Sequence, residues 1–257
     1  MGTGSYIGND VMDLMDARCR DRAPGDPLVA RILTAEEQRA LEQASDPESW
    51  RLSLWAHWAA KEAAYKVRAK VLPGSGPFVP RALVAGLQIS PPDSAGVAHL
   101  TGTVRGAGGG TSVRVSGVSD GRYLHVLGWS GPLGGPLGGR LETGLDEVGE
   151  GSIEMTSLRD RFTDSEWDGV RSGPAAVVRL LARERVRAII EGRESDGGPG
   201  GGGRPNGGAR AIQIITSRVA LGSTAPKIRI ADRELPGWDL SLSHHGRYVA
   251  WALFVPE

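Results

Sequence analysis

The stretch Trp55-Ala56-His57-Trp58-Ala59-Ala60-Lys61-Glu62-Ala63-Ala64-Tyr65-Lys66-Val67 decides how this chain is read. Ala, Lys and Glu dominate it, and no Gly or Pro interrupts from Glu48 to Leu72, so it reads as helix. Trp55, Trp58, Glu62, Tyr65 and Lys66 recur at spacings of three and four, which predicts that they share one side. The aromatics can then enter a core while Glu62 and Lys66 project further along. A carboxylate and an ammonium four apart, beside bulky apolar residues, can hold a metal ion and a phosphate together. The same pattern also serves as a plain surface ion pair.

Upstream, Tyr6 to Leu14 (YIGNDVMDL) reads as a short strand carrying Asp10 and Asp13. Residues 17–30, with Pro24, Gly25 and Pro27, read as loop. Thr34 then caps a helix to about Ala44, with Glu37 completing a capping box. Asp46-Pro47 opens the long Trp-rich helix, and Pro73 to Pro77 (PGSGP) ends it. Downstream, Leu83–Ile89, Val97–Val104, Ser112–Val118 and Tyr123–Trp129 read as strands. The glycines at 106 and 108–110 have no following Lys-Ser/Thr and are turn material rather than a P-loop. Gly131 to Gly139 (GPLGGPLGG) is a linker between a first half, 1–130, and a second half, 141–257. The linker itself is taken as 131–140. In the second half, Arg161–Trp167 starts a helix and Ala175–Glu191 forms a long one. Residues 194–208 are a flexible Gly-rich segment. Strands follow at 211–221, 227–230, 240–243 and 248–254.

The composition narrows the function. In 257 residues, Lys plus Arg and Asp plus Glu each number 30, which argues against a bulk nucleic-acid binder or a polybasic membrane protein. An apolar fraction of 40% suits a soluble globular chain. There is no membrane-length apolar run and no signal pattern, so a cytoplasmic location is expected. Cys19 is the only cysteine, which excludes an intramolecular disulfide and an all-cysteine zinc site. Only four lysines occur, and Lys61 and Lys66 are two of them.

The two halves resemble each other in order. Arg31–Glu37 (RILTAEE) is similar to Arg161–Trp167 (RFTDSEW). Trp58–Val67 is similar to Leu180–Ile189, with Lys61-Glu62 opposite Arg183-Glu184. Val115–Val126 is similar to Leu240–Trp251, aligned on Gly-Arg-Tyr. This predicts an α+β fold of two similar halves, each an antiparallel sheet packed on a long helix, related by a pseudo-twofold axis. The differences are complementary. Asp10, Glu62 and Lys66 belong to the first half, whereas the second has Ala188 opposite Lys66 and Glu154–Leu158 (EMTSL) where Asp10 would fall. His244-His245 belongs to the second half, where the first has Ser119-Asp120. One composite site between the halves accounts for that pattern, and a functional monomer follows from it.

With these motifs in hand, the chain resembles the 4′-phosphopantetheinyl transferases. Ile7–Leu14 (IGNDVMDL) looks like the family's Gly-x-Asp strand, and Trp58–Lys66 (WAAKEAAYK) like its Trp/Phe-x-x-Lys-Glu-Ala-x-x-Lys helix. Arg31–Glu37 is similar to the segment between them in the small holo-acyl-carrier-protein synthases. Pro226-Lys227 and Leu240–Tyr248 (LSLSHHGRY) resemble the Lys-Pro and Ser-His-Ser-Gly segments of the large, two-half enzymes. The Lys-Glu half comes first here, the reverse of the large enzymes. Met12 stands where they have a glutamate, and an acid follows instead at Asp13.

The resemblance implies transfer of 4′-phosphopantetheine from coenzyme A to a serine of an acyl or peptidyl carrier protein, with Mg²⁺. It implies Asp10 and Glu62 as metal ligands, with water able to complete the shell. It implies Glu62 as a base for the serine and Lys66 as a phosphate-stabilising charge. His244 would donate to a coenzyme A phosphate, and Arg31 and Lys227 would join the coenzyme A contacts. The alternative is a non-catalytic homologue that binds coenzyme A or a carrier protein.

Overall fold

A computed structural model describes residues 5–257 apart from 73, 75, 110–111, 132–138, 150–153, 196–211, 217, 220–221, 224 and 232. The first strand, β1 (Tyr6–Asp13), is buried along nearly its whole length. Two short helices follow, α1 (Ala17–Arg20) and α2 (Pro27–Ile32). They occupy the stretch expected to be loop. Asp16 and Asp26 cap them through their side chains, and Pro27 stands at the first turn of α2, so the proline starts a helix there instead of breaking one. Next come α3 (Ala35–Leu41) and α4 (Pro47–Val71). Thr34 and Glu37 form the expected capping box, and the Asp46 carboxylate accepts from the backbone N–H groups of Glu48 and Ser49.

After a 3₁₀ turn the chain runs β2 (Leu83–Ile89), β3 (Ala98–Gly106), β4 (Val113–Ser119) and β5 (Tyr123–Ser130). The antiparallel sheet has the order β1-β5-β4-β3-β2. α4 lies across it with Ala56, Ala59, Ala60, Ala63, Ala64 and Val67 inward. These small side chains allow a close approach. A Cβ on Gly8 would sit 2.1 Å from the Ala63 carbonyl oxygen, so the glycine before Asn9-Asp10 is required by packing. The face of α4 departs from the sequence expectation. Trp55 enters the core, but Trp58 and Tyr65 are only partly buried against it and meet the Phe78 ring, with centroids at 5.5 and 5.2 Å.

The second half begins with a strand that the sequence reading missed, β6 (Gly139–Glu147). Its glycines and charges hide the alternation of Leu141, Thr143 and Leu145. Helices α5 (Met155–Arg159), α6 (Asp164–Trp167) and α7 (Gly173–Ser195) follow. Then come β7 (Ile212–Ile215), β8 (Arg218–Val219), β9 (Gly222–Ser223), β10 (Lys227–Ile230), β11 (Arg233–Glu234), β12 (Asp239–His245) and β13 (Tyr248–Pro256). The sheets are β12-β13-β6, β11-β10-β7 and β8-β9, and β10 lies beside β12. Most of the expected linker and residues 196–208 of the Gly-rich segment lie outside the described residues. Residues 139 and 140 of that linker belong to β6.

The expected counterpart of Asp10 is corrected by the strand register. Residues 154–158 are a helix cap and α5, not a strand. In the β1–β5 ladder Asp10 faces Val126, and in the β6–β13 ladder Gly144 faces Trp251. Aligned on Gly-Arg-Tyr, Gly144 is the residue opposite Asp10. A Cβ there would meet the Trp251 indole at 2.4 Å.

One structural device occurs in both halves. Glu37 caps α3, accepts from Lys61 Nζ at 2.6 Å and accepts the N–H of Ala85 on β2. Glu166 caps α6, meets Arg183 at 3.2 Å and accepts the N–H of Ile214 on β7. Lys61 is fully buried and tied to an acid and to the Ile32 carbonyl. Thr34 and Thr163 are the matching caps, one residue out of step with an alignment on Arg31 and Arg161.

The halves meet where β1 packs against β12 and β13. Ile7 joins Ala252 and Phe254, Val11 joins Tyr248 and Ala250, and the Tyr123 and Tyr248 rings stand 5.3 Å apart. Between these clusters Asn9 Nδ2 donates to His125 Nε2 at 3.4 Å. Burial and the nearby Lys66 charge bring His125 down to about 4, so the ring is neutral.

Candidate active site

β1 is the edge of its sheet, so every second backbone group along it faces away from β5. Side chains close that edge. The N–H groups of Ile7, Asn9, Val11 and Asp13 donate to Asp239 Oδ2, Ser241 Oγ, Ser243 Oγ and His245 Nδ1, at 2.7, 2.9, 3.1 and 3.1 Å. The four acceptors are alternate residues of β12. The carbonyls of Ile7 and Asn9 accept from Lys70 Nζ and Lys66 Nζ, each at 2.7 Å. A row of β12 side chains and two lysines of α4 thus replaces a strand.

Asp10 stands on the opposite pleat of β1, facing α4. It is 4% exposed. Its Oδ1 accepts from Ser243 Oγ at 2.8 Å and lies 3.3 Å from Lys66 Nζ. Its Oδ2 is buried with no partner among the described residues. Lys66 also lies 3.3 Å from Glu62, which is partly open to solvent. Burial, then the Glu62 charge, raises Asp10 to about 7, against the opposing pull of Lys66 and Ser243. Burial alone would lower Lys66, but the two carboxylates hold it above the ordinary lysine range. Two acids compete for one ammonium, and one carboxylate oxygen is left over. A hard cation satisfies such a site.

The other expected residues are placed as follows. His244 lies exposed near the end of β12. Loss of water around part of its ring, then Lys66 and Arg179, lowers its pKa, and the Glu62 charge opposes this. Lys66 and Glu62 are thus among its electrostatic neighbours, with Arg179 and His245. Lys227 is on β10, paired with Glu234 at 2.6 Å, and its charge acts on Lys70. Arg31 is exposed in the last turn of α2, on the Lys61 side of α4. It forms no described bond to Asp10, Glu62 or Lys66. Met12 points into the core under α4. Asp13 is committed to the β12–β13 turn, where its Oδ2 takes the Arg247 backbone N–H and Nε, both at 3.1 Å. Among the described residues no group of three or more His, Cys, Asp or Glu could hold a metal ion, and Asp10 and Glu62 meet through their shared contact with Lys66.

Sequence reasoning missed Ser243 and Lys70. Ser243 lay within a quoted motif, and its every-other-residue spacing from Asp239, Ser241 and His245 was the available signal. Lys70 is four residues after Lys66 in a lysine-poor chain, which was a comparable signal.

No helix among the described residues is long and apolar enough to cross a membrane. A search of curated proteins found no match to the chain. Residues 6–81, which carry Asp10, Glu62 and Lys66 on β1 and α4, match the family model of the 4′-phosphopantetheinyl transferase superfamily.

Proposed function

We propose that the protein transfers 4′-phosphopantetheine from coenzyme A to a serine of an acyl or peptidyl carrier protein, at one site between its halves. The observation that carries this reading is the unpartnered buried Oδ2 of Asp10, beside Lys66 and Glu62, inside the stretch that matches the superfamily. The donor set fits Mg²⁺, with Asp10 and Glu62 as ligands and water in the remaining places. Bound there, the ion would supply charge stabilisation for a pyrophosphate.

The residues of the chain divide the remaining work. Ser243 holds Asp10 Oδ1 and leaves Oδ2 free to coordinate. Lys66 offers a fixed positive charge to phosphate oxygens, held in place by the Asn9 carbonyl. Glu62, partly open to solvent, takes the proton of the incoming serine hydroxyl directly or through water. His244 and Lys227, on the second half, contact coenzyme A phosphates; Arg31 stays a more distant candidate for the 3′-phosphate. We read the two halves as a duplication with a pseudo-twofold axis, on the strength of the repeated Glu37–Lys61 and Glu166–Arg183 device. The counterpart site is closed, since Trp251 fills the place beside Gly144 and Ala188 replaces Lys66. A single site in a functionally monomeric chain follows from that reading, and we place the protein in the cytoplasm.

Met12, buried where the large enzymes carry a glutamate, favours a second reading, binding of coenzyme A or a carrier protein without turnover. Intact-mass analysis of apo carrier proteins incubated with coenzyme A, Mg²⁺ and this protein separates the two. A gain of one phosphopantetheine, lost in Glu62→Ala, supports transfer. Measured coenzyme A binding with no mass gain on any carrier supports the second reading.

A further inference from the structure

Lys70 is buried, with a side chain only 5% exposed, and takes no part in the chemistry above. Its ammonium reaches three acceptors on two strands: the Ile7 carbonyl of β1 at 2.7 Å, the Leu240 carbonyl of β12 at 2.8 Å and Asp239 Oδ2 at 2.9 Å. That same Asp239 oxygen accepts the Ile7 N–H. One ammonium and one carboxylate therefore join α4, β1 and β12 at a single point. An ammonium has three protons and no acceptor capacity, so all of its hydrogen-bonding capacity is used.

The consequence for the site is geometric. β1 and β12 run alongside each other with no backbone ladder between them, only side chains meeting N–H groups. A ladder of serines and a histidine does not fix register strongly, because a slip by two residues would offer similar groups. Charged pairs hold the seam at its two ends, Asp13 with Arg247 at the β12–β13 turn and Asp239 with Lys70 at the start of β12, and only the second also reaches α4, where it fixes which residue of β12 stands beside which residue of β1. That register places Ser243 on Asp10 and His244 within the field of Lys66 and Glu62.

The other half provides a control. Matching α4 to α7 on Lys61 and Arg183 puts Gly192 at the position of Lys70. Matching the hairpins on Gly-Arg-Tyr puts Arg114 at the position of Asp239, and Arg114 instead donates to the Gly131 carbonyl and lies over the Trp129 ring. The Glu–Lys/Arg device that stabilises each half is kept twice. The three-element clamp is kept only on the side that carries Asp10, Glu62 and Lys66.

We propose that Lys70 and Asp239 are positioning residues that set the register between the halves, and through it the fit of the site to coenzyme A; this rests on the function proposed above. The test uses the full chain and the double variant Lys70→Met with Asp239→Asn, which keeps an acceptor for the Ile7 N–H and leaves no buried charge unpaired. Hydrogen exchange followed by mass spectrometry is expected to quicken at least tenfold in peptides covering residues 5–14 and 238–246, with α4 and β3–β4 unchanged. The KM for coenzyme A is expected to rise at least tenfold, while the KM for the carrier protein stays within twofold. Unchanged exchange and an unchanged KM for coenzyme A in the folded double variant overturn the proposal. So does faster exchange spread evenly over the chain, with both KM values unchanged, because that marks a purely structural pair. If the wild-type protein neither binds coenzyme A nor modifies a carrier, the transfer reading fails. The exchange pattern then decides the register clamp alone, with local acceleration supporting it and none overturning it.

Discussion

The β1–α4 side of the molecule and the β6–α7 side share a scaffold but differ in what they spend on it. Both hold a capping-box glutamate that also grips a basic residue on the long helix and the N–H of an edge strand. On the first side the basic residue is Lys61, wholly buried; on the second it is Arg183, whose side chain is 13% exposed. The first side adds Asp10, Lys66, Lys70 and a row of acceptors from β12. The second side fills the same space with Trp251 against Gly144, and Gly192 and Arg114 stand where the clamp residues would fall. Both sides bury charge, Glu37 with Lys61 and Glu166 beside Arg179, but Asp10 with its unpartnered oxygen occurs on the first side alone among these groups. A shared scaffold therefore says little about a shared site.

The sharpest way to break this comparison is through the paired glutamates of the long helices. Glu62→Ala should lower phosphopantetheine transfer by roughly 10³-fold or more, whereas Glu184→Ala should leave it unchanged. Equal losses in the carrier mass-shift assay would mean that the two sides are not functionally distinct.

The stabilising pairs come next. Lys61→Met should cost about 3–5 kcal/mol in urea unfolding, because Glu37 is left charged and buried. Arg183→Met should cost clearly less, since its guanidinium is nearer solvent, while each glutamate keeps its two backbone N–H groups in either variant. A reversed order would show that burial does not set the difference.

A third contrast uses pH. His125 has Ala250 as its counterpart, and its pKa in the folded protein, about 4, lies below the ordinary histidine value of 6.5. The unfolded chain therefore binds the extra proton between those values. The histidine's contribution is fully present above pH 6.5 and is lost as pH falls towards 4, by up to about 3 kcal/mol. Unfolding curves of wild type and His125→Gln at pH 7 and pH 4.5 should differ in pH slope, the wild type being steeper. Parallel slopes would sink this assignment.

Gly8→Ala should destabilise by about 1–3 kcal/mol or more, because the obstacle is the Ala63 backbone. Gly144→Ala meets only the Trp251 side chain and should cost less, which thermal melts can compare. The smallest contrast is Thr34→Ala against Thr163→Ala, each expected to cost about 1 kcal/mol through its capping box. A large difference between them would show that one cap carries more than its helix.

Much of the scaffold was legible in order of residues. Thr34 with Glu37, Asp46 with Pro47, and the alternation of β2 to β5 are local signals, and local backbone chemistry is what such signals report. Asp10, Glu62 and Lys66 were legible because their motif spacing survives in a single chain. β6 was not legible, because Gly139 and Gly144 make room for Phe254 and Trp251, and that need is visible only from the partner strand. Asp13 looked like a possible ligand until Arg247, 234 positions away, claimed it. The burial of Lys61 was not legible, because Glu37 and the Ile32 carbonyl reach it only through the fold.

By itself, then, the sequence determined which segments are helix and strand over most of the chain, and which acids and lysines carry the family motif. These depend on neighbours within a few residues. Only the tertiary structure decided which lysine lies against Asp10, which is sealed in the core and which joins the halves. Lys61, Lys66 and Lys70 share one helix, and a lysine's role depends on the oxygen atoms its ammonium reaches. Those oxygens lie on α2, α3, β1 and β12, and only folding brings them together.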